Sequence, residues 1–286
     1  MPSDAVLAAP SARGALLQPI VLRLLTVGFL GFVFVYIAIP LLVTLLMSFN
    51  DGQLIRFPIN AWSTRWYGDF FASPQWTQAL WNSLQIAVGT TILSTTAGTL
   101  AAWAFERYDI PGKSFWYILI MMSLFMPGVV LGLGVAIAFG GISIFGFTLY
   151  GSKLLVIIAH SLWAMPLVFM TMEATFKTID HRIVEASYDL GGRPAQTFFE
   201  IVLPSVSTGL VSSALFAFVV SLNEYVMALL LTDRDTQTLP KLMGLSLRSA
   251  ATPMLAVAAV LLASAVLVSL VLLMLWYARQ LRKTAR

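Results

Sequence analysis

The chain has 286 residues, of which 59% are hydrophobic and only 10% charged, with a mean hydropathy of +0.86. A soluble domain carries roughly 25% charged residues, so this composition excludes a water-soluble globular fold, and a net charge of +4 is too small to mark a nucleic-acid binder. Cysteine is absent, which removes disulfides, thiolate nucleophiles and cysteine-based metal sites.

Residues 1–19 are small and polar, with Pro10 and Pro19, and read as a tail. Six apolar stretches follow, over 24–48, 80–104, 114–139, 154–176, 206–232 and 253–277. Each supplies the ~20 residues that a spanning helix needs. The first is uncharged from Leu24 to Asn50. It is too long for the core of a cleaved leader and is expected to be a retained anchor. Residues 50–78 carry Trp62, Trp66, Tyr67, Phe70, Phe71 and Trp76. That pattern fits an aromatic belt at headgroup level; a docking surface for an external protein is the sharper reading, and the two are compatible. The turn 107–113 ends in Gly112-Lys113-Ser114, a fragment of a phosphate-binding loop. A true loop of that kind needs a glycine five residues before Gly112, where this chain has Arg107, and a preceding strand. It is rejected, and no other nucleotide motif occurs. Residues 140–153 and 233–252 form further short connections, and 281–286 a basic tail.

With both ends on one side, eleven of the 17 Lys and Arg residues fall on the side of the termini and six on the other. Basic residues accumulate in cytoplasmic loops, so both termini and the polar segment 177–205 are expected in the cytoplasm. The fold expected is an all-α membrane protein with six transmembrane helices. Small residues inside the spans, such as Gly89, Gly98 and Gly209, suit close helix packing where lipid gives no hydrophobic drive. Two acids lie within spans. Glu173 is near the inner end of the fourth and can reach the interface. Glu224 lies deeper in the fifth, between Asn223 and Tyr225, and is the better candidate for a wet cavity. His160 reads as a hydrogen-bonded packing residue. Asn82, Gln85, Thr90 and Thr91 give the second span a polar edge consistent with a lined pathway. No set of nucleophile, base and orienting group can be assembled, so the chain is not expected to be an enzyme.

The segment 177–205 interrupts this apolar chain. Asp180 is placed to cap a helix. Ile183, Ala186, Ser187 and Leu190 then fall on one helical face. Gly191 or Gly192 suits a left-handed position after the last turn, and Pro194 the first turn of a second short helix. Pro204 marks a helix boundary where the chain turns back. Helix, glycine break and helix make a compact knob. Small Ala186 and Ser187 allow close approach, ringed by the charges of Glu185, Asp189 and Arg193.

The run Glu185-Ala186-Ser187-Tyr188-Asp189-Leu190-Gly191, with Ile201-Val202-Leu203-Pro204 beyond it, resembles the cytoplasmic coupling loop of permease subunits of binding-protein-dependent ABC importers. Met47-Ser48-Phe49-Asn50, Arg65-Trp66-Tyr67, Asn82-Ser83-Leu84, Ser221-Leu222-Asn223-Glu224-Tyr225 and Thr238-Leu239-Pro240 resemble the spermidine/putrescine branch, over about residues 20–280. The resemblance implies an ABC importer permease (MetI-like) fold over residues 20–280, in the bacterial inner membrane. It further implies a second homologous permease, two ATPase subunits that bind ATP and Mg in place of any cofactor on this chain, and a periplasmic solute-binding protein. The coupling residues would be Glu185, Ala186, Ser187, Asp189, Gly191, Arg193 and Pro204. Asn223, Glu224 and Tyr225 would line the translocation cavity and meet an amine-bearing solute. Two departures weaken a polyamine: Asn223-Glu224 stands where the branch often has an acid pair, and Met126-Pro127-Gly128 lacks an acid. An amino-acid derivative, an opine or an aminophosphonate then competes. From another class, an ion-coupled secondary transporter would leave the knob without a task.

Overall fold

Close helix packing inside a bilayer requires small residues at the contact, and the three central helices meet that requirement. The computed structural model describes residues 12–55, 58–59, 61–144 and 146–284. Helix α3 (Pro74–Arg107) lies along α6 (Lys153–Phe176), and both pack on α10 (Ser207–Asn223). A Cβ built on Gly98 would lie 2.8 Å from Val168 Cγ1, and one on Gly89 would lie 2.5 Å from Ile157 Cδ1. On Gly209 it would lie 2.3 Å from Thr175 Oγ1. These glycines therefore set the distances between α3, α6 and α10.

Around this core run α1 (Ala12–Met47), α2 (Arg65–Ala72), α4 (Lys113–Phe125) and α5 (Gly128–Phe139). A two-residue hairpin, β1 (Ser143–Ile144) with β2 (Phe147–Thr148), precedes α6. The segment after α6 holds α7 (His181–Asp189), α8 (Pro194–Thr197), a π turn over Phe198–Val202 and α9 (Leu203–Ser205). Beyond α10 come α11 (Val226–Leu231), α12 (Leu239–Ser249) and α13 (Pro253–Thr284). Four helices are long and apolar enough to cross a membrane alone, and six spans result if each of two bent pairs counts as one.

Helices run beyond the apolar stretches at both ends. Helix α1 begins at Ala12, within the expected tail 1–19; residues 1–11 lie outside the described residues. At the other end α13 continues to Thr284, into the expected tail 281–286. The third stretch is not one straight helix: α4 and α5 meet at 110°. Proline disfavours the helical conformation in the residue before it, and Met126 takes ψ 137° ahead of Pro127. The fifth stretch is also broken, between Asn223 and Val226, where Glu224 takes ψ 123°. The aromatic segment 50–78 splits. Trp62 and Phe71 are exposed, as a belt requires, but Trp66 and Phe70 are buried against Leu222, Leu239 and Val257. Trp66 Nε1 donates to Gly52 O, so that ring anchors the loop from within.

At the Asn82 end of the second span, the polar edge ties neighbouring elements together. Asn82 Nδ2 donates to Asp235 O at 2.8 Å and to Gln237 O at 3.1 Å. Ser83 Oγ accepts from Leu239 N at 2.7 Å, and Gln85 Oε1 accepts from Lys153 Nζ. The loop between α11 and α12 is thus gripped by one end of α3. Within that loop, burial pushes the Asp233 carboxyl up, but donors from Thr236 and Asp235 outweigh it and hold the group below its usual range.

Candidate functional site

Two regions gather the residues singled out by sequence: the knob at one end of the bundle, and the breaks in the third and fifth spans.

The knob is built as its sequence dictates at the cap and the break. Asp180 Oδ1 accepts from Arg182 N at 3.0 Å and caps α7. The left-handed residue is Gly191, with φ +84°, a conformation costly for residues with a Cβ. Gly192 is required for a different reason: a Cβ there would lie 2.6 Å from Ser187 Oγ and 2.8 Å from Ser187 O. Ser187 Oγ and Thr197 Oγ1, 2.8 Å apart, bind α7 to α8. Arg193 precedes Pro194, the first residue of α8. Pro204 sits within α9, two residues before Val206, where the chain bends 78° into α10. The π turn just before Pro204 widens the helix; Leu203 N donates to Phe198 O, five residues back. That widening relieves the clash of a proline ring with the preceding turn.

At 100° per residue, α7 has two opposed faces. His181, Val184 and Tyr188 share one, and Val184 is buried in the cluster of Phe105, Phe169, Phe176 and Phe198. Ile183, Ala186 and Leu190 share the other, which is exposed, Leu190 by 89%. Glu185 and Asp189 are exposed beside this stripe, as are Gly191, Arg193 and Pro204, while Ser187 is half-buried. A cleft of about 250 Å³ lies between Leu190, Gly191, Gln196 and Glu200.

The two breaks lie side by side. Helix α5 packs on α11, and a Cβ on Gly132 would touch Met227 Cα at 3.3 Å. One on Gly128 would lie 3.4 Å from Glu224 Oε1 and 3.7 Å from Trp163. The Glu224 side chain is 2% exposed. Its carboxylate accepts from Val226 N at 3.0 Å, Met227 N at 2.8 Å and Ala228 N at 3.2 Å, the free donors of the first turn of α11. His160 Nε2 stands 3.5 Å from the same carboxylate, and His160 Nδ1 is 2.9 Å from Ser221 Oγ. In this conformation Glu224 therefore faces protein and not an open cavity. Its neighbours divide: Asn223 is exposed, and Tyr225 packs against Gly244 of α12. Glu173 pairs with Lys177 at 2.8 Å, one turn on, at the knob end of α6. Lys113, of the rejected phosphate-loop fragment, is engaged by Phe105 O.

Sequence reasoning missed this junction. Pro127 inside an apolar stretch was the available signal for the first break. The second has no proline; its signal was the polar triplet Asn223-Glu224-Tyr225, read for chemistry and not for backbone. Among the described residues no group of three His, Asp or Glu side chains is arranged to hold a metal.

A polytopic helical protein with broken spans and an exposed helical knob is the architecture of a membrane transport subunit. Residues 94–286 match the family model described as "Binding-protein-dependent transport system inner membrane component", and the chain belongs to that family. It is the permease subunit of an ABC importer, a multi-pass inner-membrane component that does not itself hydrolyse ATP. A partner ATPase binds the nucleotide, and a binding protein works with the system. This membership sets aside the ion-coupled alternative. The chain is 31% identical over 250 residues to "Putrescine transport system permease protein PotI" of Escherichia coli (strain K12), covering 87% of each. It is 28% identical over 220 residues to "Spermidine/putrescine transport system permease protein PotC" of the same strain, covering 76% of this chain and 80% of that one. Among solved structures, a bacterial ABC transporter that imports alginate aligns with TM-score 0.73 at 13% identity, covering 94% of this chain and 99% of that one. The MetNI methionine ABC transporter aligns with TM-score 0.53 at 18% identity, covering 75% of this chain and all of that one. At these identities the two structures bear on the fold alone.

Proposed function

We propose that the knob, residues 185–204 with Ile183, is the surface on which an ATPase subunit docks, and that this permease passes a small amine-bearing, polyamine-like solute. The observation that carries the docking reading is the exposed stripe Ile183, Ala186 and Leu190 on the face of α7 opposite its seat in the bundle. Apolar side chains left outward on a short polar segment have no role in packing this chain. Asp189 supports the reading. It lies in the last turn of α7, where the helix dipole disfavours a carboxylate by roughly 0.3–1 kcal/mol, so its presence answers to something other than helix stability. Glu185, Asp189 and Arg193 would fix the register of the docked partner. The solute assignment rests on the likeness to the putrescine and spermidine permeases. A second, similar permease would complete the translocation path as a heterodimer. Exposed Asn223 and half-buried Tyr225 would line that path, and Glu224 would hold the break between them.

The engaged carboxylate of Glu224 favours a second reading of the solute. With Glu224 occupied by backbone donors and no acid at Met126-Pro127-Gly128, little negative charge is left to meet a multiply charged cation. A singly charged or zwitterionic amine, such as an amino-acid derivative, an opine or an aminophosphonate, suits that balance better. Uptake by the complete reconstituted complex tests both. Putrescine uptake that is saturable and competed by spermidine supports the polyamine; uptake of a zwitterionic amine that putrescine does not compete supports the second reading.

A further inference from the structure

We propose that a clasp of four side chains, Glu106 with His181 and Arg107 with Tyr188, transmits movement of the knob to the far end of the bundle through α3. The inference deepens the docking reading above and rests on it.

Helix α7 stands between two non-helical segments. Before it lies the turn Thr178–Asp180, and after it Gly191 with φ +84°. Val184 and Tyr188 pack against the bundle, and His181, largely exposed, lies on the same side of the helix. Val184 makes apolar contact only, which resists separation but slides easily. The other two make directional contacts with one place, the last two residues of α3. His181 Nε2 lies 3.7 Å from Glu106 Oε1, an ion pair whenever the imidazole is protonated. The Arg107 guanidinium lies over the Tyr188 ring, 5.5 Å from its centroid. His181 and Tyr188 are nearly two turns apart, so two points hold the axis of α7 in orientation as well as position.

What α3 does with this hold follows from its other end. The helix has 34 residues, about 50 Å at 1.5 Å per residue. It contains no proline after its first residue and no break. Far from the knob, Asn82 and Ser83 grip the loop before α12 through the carbonyls of Asp235 and Gln237 and the N–H of Leu239. A single rod thus carries polar ties to the knob at one end and to the opposite loop at the other. The third and fifth spans, interrupted at Met126–Pro127 and at Glu224–Tyr225, offer no such continuous element. Nucleotide-driven movement at the knob would reach the solute-receiving side along α3, and by linkage a bound solute-binding protein would bias the knob through the same helix.

The test uses the whole complex in membranes or nanodiscs, with ATPase retention, basal hydrolysis, binding-protein-stimulated hydrolysis and uptake measured together. The variant Glu106→Gln/Arg107→Leu removes both ties from the α3 side, outside the docking surface. It should retain the ATPase and basal hydrolysis yet lose roughly fivefold or more of stimulated hydrolysis and uptake, the scale of an ordinary coupling free energy. Tyr188→Phe keeps the ring face and should behave as wild type. Exchange of partners in Glu106→His/His181→Glu should restore coupling relative to His181→Glu alone. Wild-type uptake by the double variant overturns the clasp. Loss of the ATPase from that variant also overturns it, because the four residues would then only support the knob's fold. Leu190→Asp separates the parent reading: ATPase retained there refutes docking, and the clasp falls with it. ATPase lost there, with full uptake in the clasp variant, refutes the clasp alone.

Discussion

Replacing Glu224 separates two roles for a buried acid. Its carboxylate accepts three backbone N–H groups at 2.8–3.2 Å and faces His160 at 3.5 Å, with the side chain 2% exposed. A hydrogen bond to a charged group contributes about 1.5–3 kcal/mol, and a buried donor left without a partner costs about 1–3 kcal/mol. Glu224→Gln keeps one acceptor oxygen and turns an NH₂ group toward N–H donors. It should therefore destabilise the permease by about 2 kcal/mol. Glu224→Ala leaves three donors open beside His160 and should cost more, about 3–5 kcal/mol, as for breaking a buried pair. The assay is thermal unfolding of the purified complex, with uptake measured in the same preparations well below the transition. Both variants should unfold at lower temperature in the order wild type, Gln, Ala, and uptake per folded complex should fall less than stability. A Glu224→Gln complex with wild-type thermal stability and abolished uptake of a cationic solute would refute the capping argument and return the carboxylate to the translocation path.

Gly191→Pro imposes φ near −65° where the chain has +84°; together with Glu185→Lys it should insert normally and lose stimulated ATP hydrolysis, read in membrane vesicles. Gly98→Ala places a Cβ 2.8 Å from Val168 and 3.1 Å from Met165 O, an overpacking worth about 1–3 kcal/mol. Gly134→Ala meets nothing within 4 Å and should be neutral or slightly stabilising in the same unfolding assay. Single cysteines at the exposed positions Ala195 and Arg234, against the cysteine-free background, should differ in whole cells: Arg234→Cys reacts with impermeant thiol reagents, and Ala195→Cys only with permeant ones. Outside labelling at 195 would invert the topology.

The knob was the most legible part of the chain because each of its turns is written in local chemistry. Asp180 supplies an oxygen where N–H groups are free, and Gly191 supplies a conformation that other residues avoid. Pro194 supplies the fixed φ of a first turn. The spans were legible as lengths of apolar sequence and not as shapes. A helix that is apolar all round shows no face, so nothing in the periodicity of 114–139 marks the 110° turn that Pro127 makes. The hydrogen bonds of Glu224 were illegible for a related reason: its depth was weighed against lipid, and nothing local announces the break whose three N–H groups its carboxylate accepts. Trp66 and Phe70 look like interface aromatics in sequence, and only tertiary packing turns them inward against α13 and α12. The contacts of Glu106 and Arg107 with α7 join residues some 75 positions apart; no local pattern encodes them.

Docking of the ATPase on the outward face of α7 is the step on which coupling depends. Co-purification of the ATPase subunit with a tagged permease, wild type against Leu190→Asp, measures it directly. Leu190 is 89% exposed, so its replacement removes little packing within the permease. The expected result is a permease of wild-type abundance and thermal stability from which the ATPase is lost. ATPase retained in wild-type amount, with uptake intact, would contradict it.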